Sequence, residues 1–454
     1  MSERVRCCIL AADMVLFVLL LKVLPFDPAP TKALALLAFI AVLWLTESLN
    51  LTVAALLVPV MASVMGLIPA PAALAGFANS TIFLYFGGFA IAAALHEQHI
   101  DRMIALRIIA LARGNFLLST LYLFAVTAFL SMWVNNTSTA AMMLPLAVGM
   151  LSTLDAREHA RVHAFVLLGI AFSASIGGLG TAVGSIPNAL VVAALDLTFA
   201  EMLSYGLPLM AAMLLVMFAC LYLVLRPRLG VRLGEIGENI PMTRARAVTL
   251  IIFALTACMW IFSGRINPLL ASLAGLEGRI EAFDSIVAIM AAILVVSTRV
   301  ISWKNVQEHT NWGVLWLFGG GITLSAVLAS SGASRILADG VVALVQGSHY
   351  YLVGLMVAFF VIFLTEVVSN TAAATLLIPL FITIAEGMGV EPLGLALIVA
   401  FGSSCAFMLP VATPPNALVY ATGHIRQSDM IRAGFIINLL AAVLIATMAY
   451  FLWL

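Results

Sequence analysis

Asn135-Asn136-Thr137-Ser138-Thr139-Ala140-Ala141 and Ser369-Asn370-Thr371-Ala372-Ala373-Ala374-Thr375 are two copies of one polar phrase in otherwise apolar sequence. In each, a proline (Pro145 or Pro379) lies nine residues after the aligned asparagine, Asn136 or Asn370. Each copy is followed downstream by a second phrase. One reads Gly180-Thr181-Ala182-Val183-Gly184-Ser185-Ile186-Pro187-Asn188-Ala189-Leu190. The other reads Pro410-Val411-Ala412-Thr413-Pro414-Pro415-Asn416-Ala417-Leu418. Unpaired polar groups are costly in hydrocarbon, so a polar phrase kept twice in an apolar chain marks a site.

The surrounding composition is that of a membrane protein. Of 454 residues, 64% are hydrophobic and 9% charged, which excludes a soluble globular domain and points to an all-α polytopic membrane protein. The apolar runs are long rather than alternating, against a β-barrel. The 21 basic and 21 acidic residues balance, and nothing suggests nucleic acid. Cys7, Cys8, Cys220, Cys258 and Cys405 show no CxxC spacing and read as small buried hydrophobes. No cleavage site follows Arg4 and Arg6, so the first apolar run is expected to be an uncleaved span.

At about 20 apolar residues per crossing, crossings are expected near 7–25, 33–49, 51–69, 80–96, 164–197, 203–225, 247–264, 283–301, 312–330, 393–423 and 431–454. The pairs 115–151 and 349–387 read as helical hairpins with an Asn-Thr phrase near the middle of each, and 98–112 and 331–346 as amphipathic. With a cytoplasmic N-terminus, that side holds Arg4, Arg6, Arg102, Arg107, Arg113, Arg157, Arg161, Arg226, Arg228, Arg232, Arg244, Arg246, Arg299, Lys304, Arg426 and Arg432. The other side holds Lys22, Lys32, Arg265, Arg279 and Arg335, a division of 16 against 5 that favours this orientation.

The repeat is broader than the two phrases. Phe86-Gly87-Gly88 matches Phe318-Gly319-Gly320 at an offset of 232, Asn136 matches Asn370 at 234, and Asn188 matches Asn416 at 228. Five crossings separate the copies, so they run in opposite directions, the inverted-repeat plan of secondary transporters. The expected divisions are N-terminal scaffold helices 1–79, a first repeat 80–226, connecting scaffold helices 227–311 and a second repeat 312–454.

Chemically, Asn, Ser and Thr are the preferred helix N-caps. A helix start offers free N–H groups and positive potential to an anion, and two opposed starts suit a substrate with an acidic group at each end. Gly177, Gly178, Gly180 and Gly184 should interrupt one helix, and Pro410, Pro414 and Pro415 the other, releasing backbone carbonyls as hard ligands for Na⁺. Ser131 and Thr365 each lie five residues before the aligned asparagine. Each hydroxyl reads as a sodium ligand or as bonded back to its own helix; as a matched pair beside broken helices, the ligand role is favoured. The four phrases contain no Arg or Lys, so a dianion's charge would be offset by helix ends and bound cations. Glu366, four residues before Asn370 and matched by Met132, reads as an ion site or as a carboxylate bonded to neighbouring backbone. Asp13 and Glu47 read as structural or interfacial. No nucleophile–base pair, metal spacing, phosphate loop or dinucleotide fingerprint is present, which argues against an enzyme or an organic cofactor, and Gly319-Gly320-Gly321 reads as helix-packing sequence.

At these residues the chain resembles the divalent anion/sodium symporter family. The resemblance is closest to bacterial INDY-type dicarboxylate transporters at Thr127-Ala128-Phe129-Leu130-Ser131-Met132-Trp133, at Ala174-Ser175-Ile176-Gly177-Gly178-Leu179-Gly180-Thr181, and from Ser404 to Asn416. It implies a homodimer with scaffold and mobile transport domains, re-entrant hairpins and elevator-type alternating access. It also implies one sodium site at Ser131, Asn135, Asn136 and Gly184 and another at Thr365, Val368, Asn370 and Ala412. Substrate carboxylates would meet Asn135, Asn136, Thr137, Ser185, Ser369, Asn370, Thr371, Thr413 and Pro414. Two departures fall in the first repeat, where the family's Ser-Asn-Thr is Asn135-Asn136-Thr137 and its Pro-Pro-Asn is Ile186-Pro187-Asn188. The expected activity is Na⁺-coupled uptake of C4-dicarboxylates such as succinate, fumarate or malate across a bacterial inner membrane. The alternatives are sodium-independent exchange or another divalent anion, citrate or sulfate.

Overall fold

The computed structural model describes residues 3–152, 154–156, 158–228, 240–345 and 349–453, with backbone only for 341–345. Arg157, the segment 229–239 with Arg232, residues 346–348 and the two chain ends lie outside the described residues. The charge count there, the middle of 227–311 and the outer limits of 1–79, 331–346 and 431–454 therefore rest on sequence alone.

The chain folds into helices in the order α1 (Glu3–Val23), α2 (Pro28–Thr46), α3 (Leu51–Val64), α4 (Ala70–Ala75), α5 (Ser80–Glu97), α6 (Ile100–Ala110), α7 (Phe116–Ser131), α8 (Asn136–Leu151), α9 (Ala160–Gly177), α10 (Ile186–Leu195) and α11 (Phe199–Leu225). There follow α12 (Arg244–Ile261), α13 (Ser263–Leu273), α14 (Phe283–Ser297), α15 (Trp303–His309), α16 (Trp312–Ser331), α17 (Ala333–Val345), α18 (Tyr350–Thr365), α19 (Asn370–Gly387), α20 (Pro392–Ser403), α21 (Pro414–Tyr420) and α22 (Gln427–Leu452). The run α5–α11 repeats as α16–α22: a long helix, a shorter one, a hairpin, a broken pair and a long closing helix. The crossings expected at 164–197 and 393–423 are each divided, into α9 with α10 and α20 with α21.

Eight helices among the described residues are long and apolar enough to cross a membrane, and α3, α7, α10, α14, α18 and α20 are shorter apolar helices. The first arms of the two hairpins, α7 and α18, have 16 residues each, a rise of about 24 Å against a hydrocarbon core of roughly 30 Å, while the second arm α19, with 18 residues, is among the eight.

Local sequence explains where helices begin. Asn50, Asn79 and Asn115 cap α3, α5 and α7 by accepting the backbone N–H of Thr52, Thr81 and Leu118. Thr198 and Glu201 form a reciprocal capping box at the start of α11. Large apolar side chains such as Val60, Leu215, Leu223 and Ile251 remain exposed, as expected of a surface that faces lipid. Of the cysteines, Cys220 and Cys405 are buried, whereas Cys7, Cys8 and Cys258 are exposed on this outer surface. Being small and apolar serves a cysteine as well against acyl chains as inside a core.

Each repeat's leading long helix is packed by a helix that precedes the other repeat's. α14 packs chiefly against α5, and α3 against α16. The two Phe-Gly-Gly motifs make this possible. A Cβ on Gly87 would lie 2.3 Å from the Ala288 carbonyl oxygen, and one on Gly320 would lie 2.6 Å from that of Ala55. Backbone against backbone leaves room for hydrogen alone, so small residues carry close helix contacts in membranes. Gly87→Val and Gly320→Val should each lower the thermal midpoint of the purified protein, by the equivalent of about 1–3 kcal/mol or more. Gly149→Ala, where an added Cβ meets nothing within 4 Å, should leave it unchanged or slightly raised; equal behaviour of all three would refute the close packing.

Candidate functional site

The hairpin α7–α8 turns at 132–135, and α8 starts at Asn136. The hairpin α18–α19 turns at 366–369, and α19 starts at Asn370. Both Asn-Thr phrases thus sit at helix N-termini, two residues earlier than the apolar runs 138–151 and 372–387 alone suggest. The two tips meet, together with both broken helices, around one cavity of about 570 Å³. All nine residues expected to meet substrate line it: Asn135, Asn136, Thr137, Ser185, Ser369, Asn370, Thr371, Thr413 and Pro414. Of the expected sodium ligands, Gly184, Val368 and Ala412 also line it, while Ser131 and Thr365 are fully buried.

The helix ends differ in what they leave free. Asn135 caps α8, its side-chain oxygen accepting the Ser138 N–H at 2.8 Å. Ser369 stands at the same place before α19 but makes no side-chain cap. The first N–H groups of a helix have no partner within it, so α19 offers one more free donor to the cavity than α8 does. The departure Asn135 from the family's serine therefore has a visible local effect.

Buried oxygens gather behind the first tip. Ser131 Oγ lies 2.7 Å from Asn136 Oδ1 and 2.6 Å from the Ala174 carbonyl oxygen. One hydroxyl proton can serve only one of these acceptors. The backbones of Gly178 and Gly184 close on the same place: a Cβ on Gly178 would lie 2.6 Å from Asn136 Oδ1 and 3.1 Å from the Gly184 oxygen. Ser175 Oγ and Ser185 Oγ nearby are buried and take no hydrogen bond within the chain. Such an acceptor-rich set fits a hard monovalent cation. Behind the second tip, Thr365 donates to Ile362 O of its own helix at 3.0 Å, leaving its lone pairs free, and Asn370 Oδ1 is buried without a partner.

The two breaks are held open by the same device. Asn188 Nδ2 lies 3.1 Å from Gly178 O, 3.1 Å from Leu179 O and 2.8 Å from Thr181 O. Asn416 Nδ2 donates to Ala406 O at 3.0 Å and Leu409 O at 3.1 Å. Positions 178 and 181 become 406 and 409 on adding the repeat offset of 228. The offset carries further: a Cβ on Gly206 of α11 would lie 2.2 Å from Leu179 O, and one on Gly434 of α22 would lie 2.2 Å from Phe407 O. Sequence reasoning missed this glycine pair, although 434 − 206 is again 228. Tyr85 adds a contact in the first break only, its hydroxyl against the carbonyls of Ala182 and Ser185.

The breaks satisfy their N–H groups differently. In the first, a 3-10 turn over Gly178–Gly180 continues α9. In the second, Glu366 accepts the N–H groups of Phe407 at 2.8 Å, Met408 at 2.9 Å and Leu409 at 3.1 Å, and the amide of Asn438 at 2.7 Å. The side chain that read either as an ion site or as a backbone-bonded carboxylate is thus engaged with backbone, while it also borders the cavity. A carboxylate's multiple lone pairs suit several donors at once. Thr46, which sequence reasoning missed, and Glu47, read there as structural or interfacial, face the cavity from the end of α2. Glu47 is in the left-handed region, at φ 49°, a sparsely populated conformation for a non-glycine residue; no repeat signal covers it. The cavity's lining includes no lysine or arginine, and among the described residues no cluster of three His, Cys, Asp or Glu could hold a metal ion.

Removing the Glu366 carboxylate strands four donors, the N–H groups of Phe407, Met408 and Leu409 and the Asn438 amide, and each unsatisfied buried donor costs about 1–3 kcal/mol. Glu366→Ala should therefore lower the thermal midpoint sharply, and Glu366→Gln, which keeps one acceptor oxygen, should lower it less. Two variants as stable as the wild type would rule the brace out.

Comparison with known proteins agrees with this architecture. The citrate transporter family matches residues 41–400 and again 284–454. An uncharacterized transporter of Haemophilus influenzae is 57% identical over 442 residues, 97% of this chain and 96% of its own. The sodium-dependent dicarboxylate transporter SdcS of Staphylococcus saprophyticus is 31% identical over 96% of this chain and 89% of its own. Among solved structures, the YdaH transporter of Alcanivorax borkumensis shares the fold with a TM-score of 0.57 at 14% identity, covering 84% of this chain and 87% of that one. MtrF of Neisseria gonorrhoeae does so with 0.56 at 13%, covering 98% of each. The chain is a multi-pass membrane transporter, not an enzyme, and belongs to the citrate transporter family, that of the divalent anion/sodium symporters it resembles.

Proposed function

We propose that this transporter carries C4-dicarboxylates such as succinate, fumarate or malate inward together with Na⁺. The observation that carries the reading is a cavity bounded by two helix N-termini and by the carboxylates of Glu47 and Glu366, with no basic side chain in its lining. A dianion there needs positive charge from somewhere. Helix ends supply about half a charge each; the remainder falls to cations bound at the oxygens around Ser131, Asn136, Gly178 and Gly184 and around Thr365, Val368, Asn370 and Ala412. Cation coupling is then an electrostatic requirement rather than an added feature. The cavity volume lies within the roughly 300–1,000 Å³ usual for small-molecule sites, and the relatives named as sodium-dependent dicarboxylate transporters support the cargo class.

In this reading, 1–79 and 227–311 form the scaffold of a homodimer in a bacterial inner membrane, with the N-terminus in the cytoplasm. The hairpins and broken helices of 80–226 and 312–454 form the moving body of an elevator. A helix break braced from inside moves as one piece with its hairpin, which supports a rigid-body motion. Citrate is the second cargo reading, favoured by the description of the matching family.

The test is uptake of radiolabelled succinate into proteoliposomes under an inward Na⁺ gradient, against K⁺ or choline. Uptake should need sodium and should be lost in Asn136→Ala and Asn370→Ala. Sodium-independent uptake would overturn the coupling; absence of succinate uptake, with citrate taken up instead, would overturn the cargo. Asn135→Gly, which removes the capping oxygen, should free the Ser138 N–H and tighten succinate binding several-fold, by about the 1 kcal/mol typical of an N-cap interaction, read as a fall in KM. An unchanged KM would show that this donor does not meet substrate.

A further inference from the structure

A second cavity, of about 1050 Å³, opens at the far end of α9 from its break. It is walled by the start of α9, the end of α11, the start of α22 and the segment before α22. Arg161, Arg226, Arg228, Arg426 and Arg432 line it, against only the carboxylates of Glu158 and Asp429. That is five positive charges against two negative. Among the described residues, no ion pair or side-chain hydrogen bond engages any of the five guanidiniums. Five like charges brought to one concave surface without partners repel one another, and a bound anion removes that cost.

The wall is not wholly polar. Leu223, 68% exposed on α11, and Val224 join the arginines to the apolar outer surface, so the cavity has one charged side and one side continuous with the lipid-facing surface. All five arginines stand on the side that the lysine–arginine distribution assigns to the cytoplasm, where anionic lipids give the leaflet its negative potential.

We infer that this cavity binds a phosphate-bearing anion, with the headgroup of an anionic phospholipid as the source its apolar wall fits. Guanidinium groups match phosphate oxygens in bidentate geometry, and acyl chains would leave along Leu223. The inference does not depend on the cargo or on sodium coupling.

Native mass spectrometry of the full-length protein in mild detergent tests it, with dioleoyl phosphatidylglycerol, dioleoyl phosphatidylcholine and sodium pyrophosphate as separate probes. Phosphatidylglycerol should bind at least about tenfold more tightly than phosphatidylcholine, and R226Q/R432Q should lose about tenfold of that affinity. R226K/R432K, which keeps the charge, should retain most of it, and the thermal midpoint of each variant without ligand shows whether it folds. Binding of pyrophosphate but not phosphatidylglycerol, lost in the glutamine variant, would keep the phosphate site and replace the lipid by a soluble source. If the folded glutamine variant binds every probe as the wild type does, or if neither anionic probe binds, the site is refuted.

Discussion

A backbone that leaves its helix inside a membrane must find a partner for every N–H and carbonyl it frees, because hydrocarbon offers none. This transporter does so twice. Asn188 and Asn416 gather the carbonyls of the two breaks at corresponding positions, and Gly206 and Gly434 let α11 and α22 press against them. The N–H groups are then served by a 3-10 turn in one repeat and by Glu366 in the other. The cavity and both tips are fixed by these bonds. Without them the phrases Gly184-Ser185 and Thr413-Pro414 would have no defined place opposite Asn136 and Asn370.

The two repeats are alike in plan and unlike in detail. Ser131 reaches across to Asn136 and Ala174, whereas Thr365 donates within its own helix. Asn135 takes up an N–H that Ser369 leaves free. Two halves that evolve separately need not stay symmetrical. In the proposed transport cycle, the first repeat holds the cation more firmly through side chains, and the second offers more backbone donors to the anion.

Packing between the repeats follows another rule. The helices α3 and α14 cross over, each seated on the other repeat's long helix at Gly320 or Gly87. Close approach of backbones substitutes here for the hydrophobic effect, which has little force between helices already in lipid. The exchange ties the N-terminal helices to the second repeat and the connecting helices to the first.

By itself, the sequence determined the class of protein, the order of its elements and the four polar phrases that border the cavity. Those follow from local signals: the length of apolar runs, the Asn, Ser and Thr caps, the glycines and prolines of the breaks, and constant offsets between copies. Resemblance added the nine lining residues as a set. Only the tertiary structure decided how Glu366 is used, because its partners at 407–409 and Asn438 are some forty and seventy residues away and carry no signal in its own neighbourhood. The same holds for Glu47, brought to the cavity from outside the repeat, and for the five arginines of 161–432, whose charges look like ordinary loop residues until three helix ends bring them together. Local propensities are written in neighbouring residues; convergence of distant side chains is a property of packing.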